Sequence, residues 1–141
     1  MEAVAKLKNV PMSERKMRLV VDLIRGKNVE DALDILRFTK KEAAVWLEKG
    51  LLSAIANWEN KLGGLENADD YDLYIKTIFS DGGSMLKRFR PAPHGRAHRI
   101  RKRTNHVTII VENRVPVDVD AVTAGDAVEV EEVSSSAAAQ E

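Results

Sequence analysis

Apolar and polar residues first alternate through Ala3, Ala5 and Leu7 against Lys6 and Lys8, a period of two that predicts a short strand closed by Pro11. From Glu14 the period becomes helical. Met17, Val20, Val21 and Ile24 stand at i, i+3, i+4 and i+7 on one face of a helix over 14–25, with Arg15, Arg18, Asp22 and Arg25 on the other side. Ser13 is placed to cap its start and Gly26 to end it. A shorter helix opens at Asn28 and buries Val29, Ala32, Leu33 and Leu36. Thr39-Lys40-Lys41-Glu42 has the capping-box pattern and predicts a long helix running to about Lys61. Its apolar stripe is Ala44, Leu47, Leu51, Ile55, Trp58 and Leu62. Gly50 lies inside that helix, where glycine costs about 1 kcal/mol relative to alanine, so a packing reason is expected there.

Gly63-Gly64 and the acidic run Glu66 to Asp72 read as a loop. Leu73, Ile75, Ile78 and Phe79 predict a strand broken at Asp81-Gly82-Gly83, and His106 to Val111, rich in β-branched residues, predicts another. One strand, three helices and then two or more strands define an α+β chain rather than alternating βα units. Residues 115–141, ending in Ser-Ser-Ser-Ala-Ala-Ala-Gln-Glu, are low in complexity and expected to be disordered.

Composition narrows the class. At 141 residues and 44% hydrophobic the chain is one folding domain with a real core. The absence of cysteine excludes disulfides, cysteine-based zinc sites and a thiol nucleophile. No signal-peptide pattern opens the chain and no apolar run is long enough to span a membrane, so a soluble intracellular protein is expected.

The formal net charge of zero conceals a strong segregation. All 22 Lys and Arg lie at or before Arg114, which gives residues 1–114 a charge of +7 and residues 115–141 a charge of −7. The excess of positive over negative charge is concentrated from Met85 to Arg103. That stretch holds Lys87, Arg88, Arg90, Arg96, Arg99, Arg101, Lys102 and Arg103, with His94 and His98 and no acid. A one-signed field of this density calls for a phosphate backbone as its counter-charge.

Read as two extended arms around Pro93-His94-Gly95, the segment 84–103 has no continuously apolar face. One side of the outgoing arm is Leu86, Arg88, Arg90 and Ala92, and one side of the returning arm is Ala97, Arg99, Arg101 and Arg103. Such a ribbon cannot lie flat on its own core, and an isolated hairpin is marginal in water. Pro91 and Pro93 stiffen the approach to the turn, and Gly95 permits a positive φ within it.

These residues bring a resemblance into view. Lys87 to Val111, with Gly95-Arg96-Ala97 and Ile100-Arg101-Lys102-Arg103-Thr104-Asn105-His106 at its heart, closely resembles the signature of the bacterial form of large-subunit ribosomal protein twenty-two. The likeness extends through Ser13 to Val20, Ile24 to Lys27 and Ser53 to Asn57, and covers about residues 2–113. The acidic tail at 114–141 lies outside the family pattern, whereas the likeness implies three helices packed on a small antiparallel three-stranded sheet, with a long protruding basic β-hairpin at about 84–103. It further implies a non-catalytic constituent of the cytoplasmic large subunit that binds 23S rRNA, supports assembly and touches neighbouring ribosomal proteins. The hairpin tip, Pro91, Ala92, Pro93, His94, Gly95 and Arg96, would line the exit tunnel beside the nascent peptide. Ala92 and His94 stand where the family usually carries cations, and Trp58 where it prefers alanine.

The basic side of the first helix, Arg15, Lys16, Arg18 and Arg25, is a second candidate RNA contact. His94, His98 and His106 without cysteine or a nearby acid do not suggest a metal, and Asp69, Asp70 and Asp72 read as a polar loop rather than a cation site. No nucleophile triad, Walker or dinucleotide motif is present, so neither enzyme nor cofactor is expected. The competing readings are a free-standing nucleic-acid regulator and a protein-interaction module.

Overall fold

The computed structural model describes residues 1–62 and 71–115. The expected loop at 63–72, including Asp69 and Asp70, therefore lies outside the described residues except for its last two positions. The expected disordered tail also lies outside them beyond Val115.

The elements run β1 (Glu2–Val10), α1 (Glu14–Ile24), α2 (Val29–Phe38), α3 (Glu42–Lys61), β2 (Leu73–Pro91) and β3 (Ala97–Asn113). The strands form one antiparallel sheet in the order β1-β3-β2. Its inner face is built by strict alternation: Ala3 and Ala5 on β1, and Val107, Ile109 and Val111 on β3. On β2 the buried positions are Leu73, Ile75, Ile78 and Ser80, and a register irregularity between Ile75 and Thr77 absorbs the odd step. Against this face pack Met17, Val20, Val21 and Ile24 of α1 and Leu47, Leu51, Ala54 and Trp58 of α3, all fully buried.

Gly50 has the packing reason its cost implied. A Cβ there would lie 2.8 Å from Leu7 Cδ1 and 3.0 Å from Ile109 Cδ1, so glycine lets α3 cross close over β1 and β3. Trp58 is completely buried and its ring meets Tyr71 at 5.2 Å between centroids. Its indole Nε1 has no hydrogen-bond partner among the described residues.

Two expectations are corrected. Thr39 does not open α3. It closes α2, its amide meeting Ile35 O at 3.1 Å and its hydroxyl donating to the same carbonyl at 2.6 Å, which turns the side chain back onto α2. Lys41 takes the N-cap position of α3 instead. Ser13 and Asn28 hold the N-cap positions of α1 and α2, although neither side chain makes a capping hydrogen bond.

The second correction concerns Asp81-Gly82-Gly83, which does not end the strand. β2 continues to Pro91 with an irregularity between Gly82 and Met85. A Cβ on Gly83 would sit 2.5 Å from Thr104 Oγ1, and one on Gly82 2.6 Å from Glu14 Oε2. These glycines permit close approach within a paired strand rather than a turn out of it.

Candidate nucleic-acid interface

β1 leaves β3 at the Val10–Asn105 pair, so among the described residues β3 pairs only with β2 from Arg103 to Ala97. The register of this two-stranded ribbon assigns its faces. Met85 faces Arg103, Lys87 faces Arg101, Phe89 faces Arg99 and Pro91 faces Ala97 on one side; Leu86 faces Lys102, Arg88 faces Ile100 and Arg90 faces His98 on the other. One face thus carries Lys87, Arg99, Arg101 and Arg103, and the other Arg88, Arg90, Lys102 and His98. Cross-strand residues share a face, and like charges directly opposite each other repel, as Lys87 and Arg101 must.

All eight Lys and Arg of the ribbon are exposed, as are His94 and His98. Among the described residues none of the eight forms an ion pair, and the intramolecular side-chain bond here runs from Arg88 Nη1 to the carbonyl of Lys87 at 2.8 Å. Phe89, Leu86 and Ile100 are also exposed, so bases or apolar edges can stack beside the guanidiniums.

The tip closes as its sequence implied. Pro93–Gly95 form a single 3-10 turn, with His94 (φ 62°) and Gly95 (φ 70°) both left-handed, and the Ala92 amide donates to Arg96 O at 2.8 Å. Histidine tolerates this region better than a β-branched residue would.

A polar cluster fixes the ribbon to the sheet. Asn105 is completely buried, its Nδ2 donating to Met12 O at 3.0 Å. Thr104 Oγ1 donates to Ser84 O at 2.6 Å, and His106 Nδ1 accepts the Asn9 amide at 3.0 Å, with Asn9 itself left-handed. Sequence reasoning placed these residues in the family signature and weighed His106 as a ligand, but did not assign them this anchoring role. The signal was available in parity, because Asn105 is the polar residue in the inward series that continues with Val107, Ile109 and Val111.

The first-helix candidates divide. Arg18 donates from Nε and Nη2 to Ser80 O at 3.2 and 3.1 Å, and Arg25 Nη2 reaches Ile78 O at 3.5 Å while its Nη1 meets Asp22 at 2.9 Å. Both cover the outer carbonyls of β2, the edge strand, which is a structural task. Lys16 instead lines an open cleft of about 440 Å³ with Ser13, Leu86, Arg101, Lys102 and Arg103; Glu42 adds one acid to its wall. Arg15 is exposed on the same helix. The uncapped amino end of α1 opens on this cleft, so helix dipole and cations act there together. His94, His98 and His106 are strung from tip to core along the ribbon, and no group of three ligand-type side chains converges among the described residues.

The opposite end of the sheet is neutralised internally. Lys76 bridges Glu2 and Glu112, 3.3 Å from the latter; the Tyr74 hydroxyl donates to Glu112 at 2.6 Å, and Arg114 lies 5.1 Å over the Tyr74 ring. The Tyr74 hydrogen bond, then Lys76, hold the Glu112 carboxyl below its ordinary range. Hydrogen bonds to Glu2 and Glu112 raise Lys76, and the bond to Glu112 raises Tyr74. Charge is therefore balanced at this end and unbalanced on the ribbon.

A small α+β module that extends an acid-free cationic ribbon has the form of an architectural nucleic-acid-binding protein. Residues 5–112 match the family model described as ribosomal protein L22p/L17e, and the chain belongs to this family. It is 65% identical over 111 residues to large ribosomal subunit protein uL22 of Flavobacterium johnsoniae, covering 77% of this chain and 79% of that one. The protein of the same name from Christiangramia forsetii is 62% identical over 109 residues (77% and 80%), and that of Bacteroides fragilis 57% over 110 (78% and 79%). The chain is thus a structural, non-enzymatic constituent of the large ribosomal subunit. Among the described residues no helix is long and apolar enough to cross a membrane.

Proposed function

We propose that the ribbon is the principal rRNA anchor of this protein, binding 23S rRNA as the large subunit assembles. Its arginines bridge phosphates from separate RNA segments and relieve their mutual repulsion, while shape and simultaneous contacts supply the selectivity. The observation that carries this reading is a two-stranded ribbon with eight exposed cations, none ion-paired among the described residues. Lys87, Arg88, Arg90, Arg99, Arg101, Lys102 and Arg103 form the anchor. Lys16 and Arg15 extend it across the cleft, and Arg18 and Arg25 offer their outer nitrogens while holding β2.

The tip, Pro91 to Arg96, is proposed to line the nascent-peptide exit tunnel, with Arg96 and His94 as its polar groups. Residues 1–113 act as the ribosomal domain, seated among neighbouring ribosomal proteins in the cytoplasmic ribosome, and 114–141 as a separate acidic tail. Gradient sedimentation of lysate tests the reading, combined with crosslinking from the ribbon to 23S rRNA. Co-migration with the large subunit through moderate salt washes is expected. A purely free pool, or crosslinks confined to the helices, overturns it.

A further inference from the structure

The cationic ribbon has an open backbone edge as well as charge. Once β1 stops at Val10, the outer edge of β3 from Thr104 to Ala97 presents backbone groups with no third strand beside them among the described residues. The same chain carries an acidic segment of opposite character. Residues 128–133 read Val-Glu-Val-Glu-Glu-Val, three valines among three carboxylates, in a tail of seven acids and no base that lies beyond the family match at 5–112.

We propose that this segment docks on the base of the ribbon, at Arg101–Arg103, as an internal polyanion that RNA displaces. Glu129 and Glu131 stand two residues apart in the sequence, the same step that separates Arg101 and Arg103 on one face of β3.

Reach selects both the acids and the target. Twelve residues separate Val115 from Arg103, about 40 Å along the strand at about 3.3 Å per residue. Chain covers at most about 3.5 Å per residue, so Asp118 and Asp120 command no more than about 18 Å beyond Val115 and fall short. Glu129 and Glu131 command about 50–55 Å, enough to double back to Arg101–Arg103 but short of Arg96 at about 63 Å. The docked tail covers the base and leaves the tip open. In the free protein it acts as an internal counter-charge, a consequence that rests on the ribbon being the RNA anchor.

Two charge-matched variants of the full chain test this, E129Q/E131Q and D118N/D120N, observed by amide NMR with no RNA present. The first is expected to move the Arg101–Thr104 amides toward the positions seen in a chain truncated after Ala127, and the second to leave them in place. Equal shifts from both, or none from either, overturn the proposal. The absence of RNA keeps that failure separate from any failure of the ribbon as an rRNA anchor. In a second arm, affinity for an unrelated single-stranded RNA at about 50 mM salt is expected to rise about three- to tenfold for E129Q/E131Q and less than about twofold for D118N/D120N. An equal gain from both would mean a diffuse effect of net charge and would also overturn it.

Discussion

Neutralising one face of the ribbon separates its two possible modes of use. The register places Lys87, Arg99, Arg101 and Arg103 on one face and Arg88, Arg90 and Lys102 on the other. Each phosphate contact contributes about 0.7–0.9 to the slope of log affinity against log salt. Replacing the four residues of the first face by alanine is therefore expected to lower the magnitude of that slope by about 3, and replacing the three of the second by about 2 to 2.5, if RNA wraps both faces. The assay is a salt titration of binding to a fragment of 23S rRNA.

Stability provides the control for that titration. The replaced side chains are exposed and lack ion-pair partners among the described residues, and surface changes of this kind stay within about 0.5 kcal/mol each. Loss of the Lys87–Arg101 repulsion acts in the stabilising direction. A melting temperature held within a few degrees is expected for both variants. If one face carries the whole salt slope, the two-sided wrapping is refuted. If either variant unfolds the domain, the ribbon packs on its own core and the assignment of its faces to RNA fails.

Three further outcomes follow from particular contacts. Gly83→Val drives a side chain against Thr104 Oγ1 and its backbone, and is expected to break the Thr104–Ser84 bond and weaken large-subunit incorporation more than it lowers the melting temperature, measured by gradient sedimentation and calorimetry. Arg18→Ala removes the guanidinium bonds to Ser80 O and is expected to cost about 1 kcal/mol, or roughly 4 °C in melting temperature, whereas Arg15→Ala, whose side chain is exposed, leaves it unchanged. Glu112 is held below its ordinary range, so its contribution is present above the usual carboxylate pKa and disappears as pH falls through the lowered value. Lys76 and Tyr74, both raised, stabilise below their ordinary values and lose that contribution as pH rises through the raised ones. Stability is expected to be flat between the two limits, with Glu112→Gln removing part of the acid-side decline in a melting series.

The core was legible because it is repetitive. The helical step of Met17, Val20, Val21 and Ile24 and the strand step of Val107, Ile109 and Val111 each require one face to be buried, and all seven are. The ribbon was legible for the opposite reason, since no face of residues 85–103 can be buried at all. What escaped reading depended on which partner a residue takes, near or distant in the chain. Thr39 could equally end one helix or start the next, and the carbonyl of Ile35 decided it. The glycines at 82 and 83 look like a turn until Glu14 and Thr104 are seen to crowd them. Likewise, the basic face of α1 shows nothing in sequence of the β2 carbonyls that claim Arg18 and Arg25.

The irregularities between Leu7 and Val10 and between Gly82 and Met85 fall at one level, beside Asn105, where three strands become two. That level works as the fulcrum of a lever. From Gly83 to His94 the ribbon extends about 35 Å at about 3.3 Å per residue. A change of about 10° in the angle at which it leaves the sheet therefore carries the tip sideways by about 6 Å, roughly a side chain's length. The handful of side chains at this joint, Asn105, Thr104, His106 and Gly83, thus set where a distant turn arrives. Substitutions among them can redirect the tip without touching a residue that it carries.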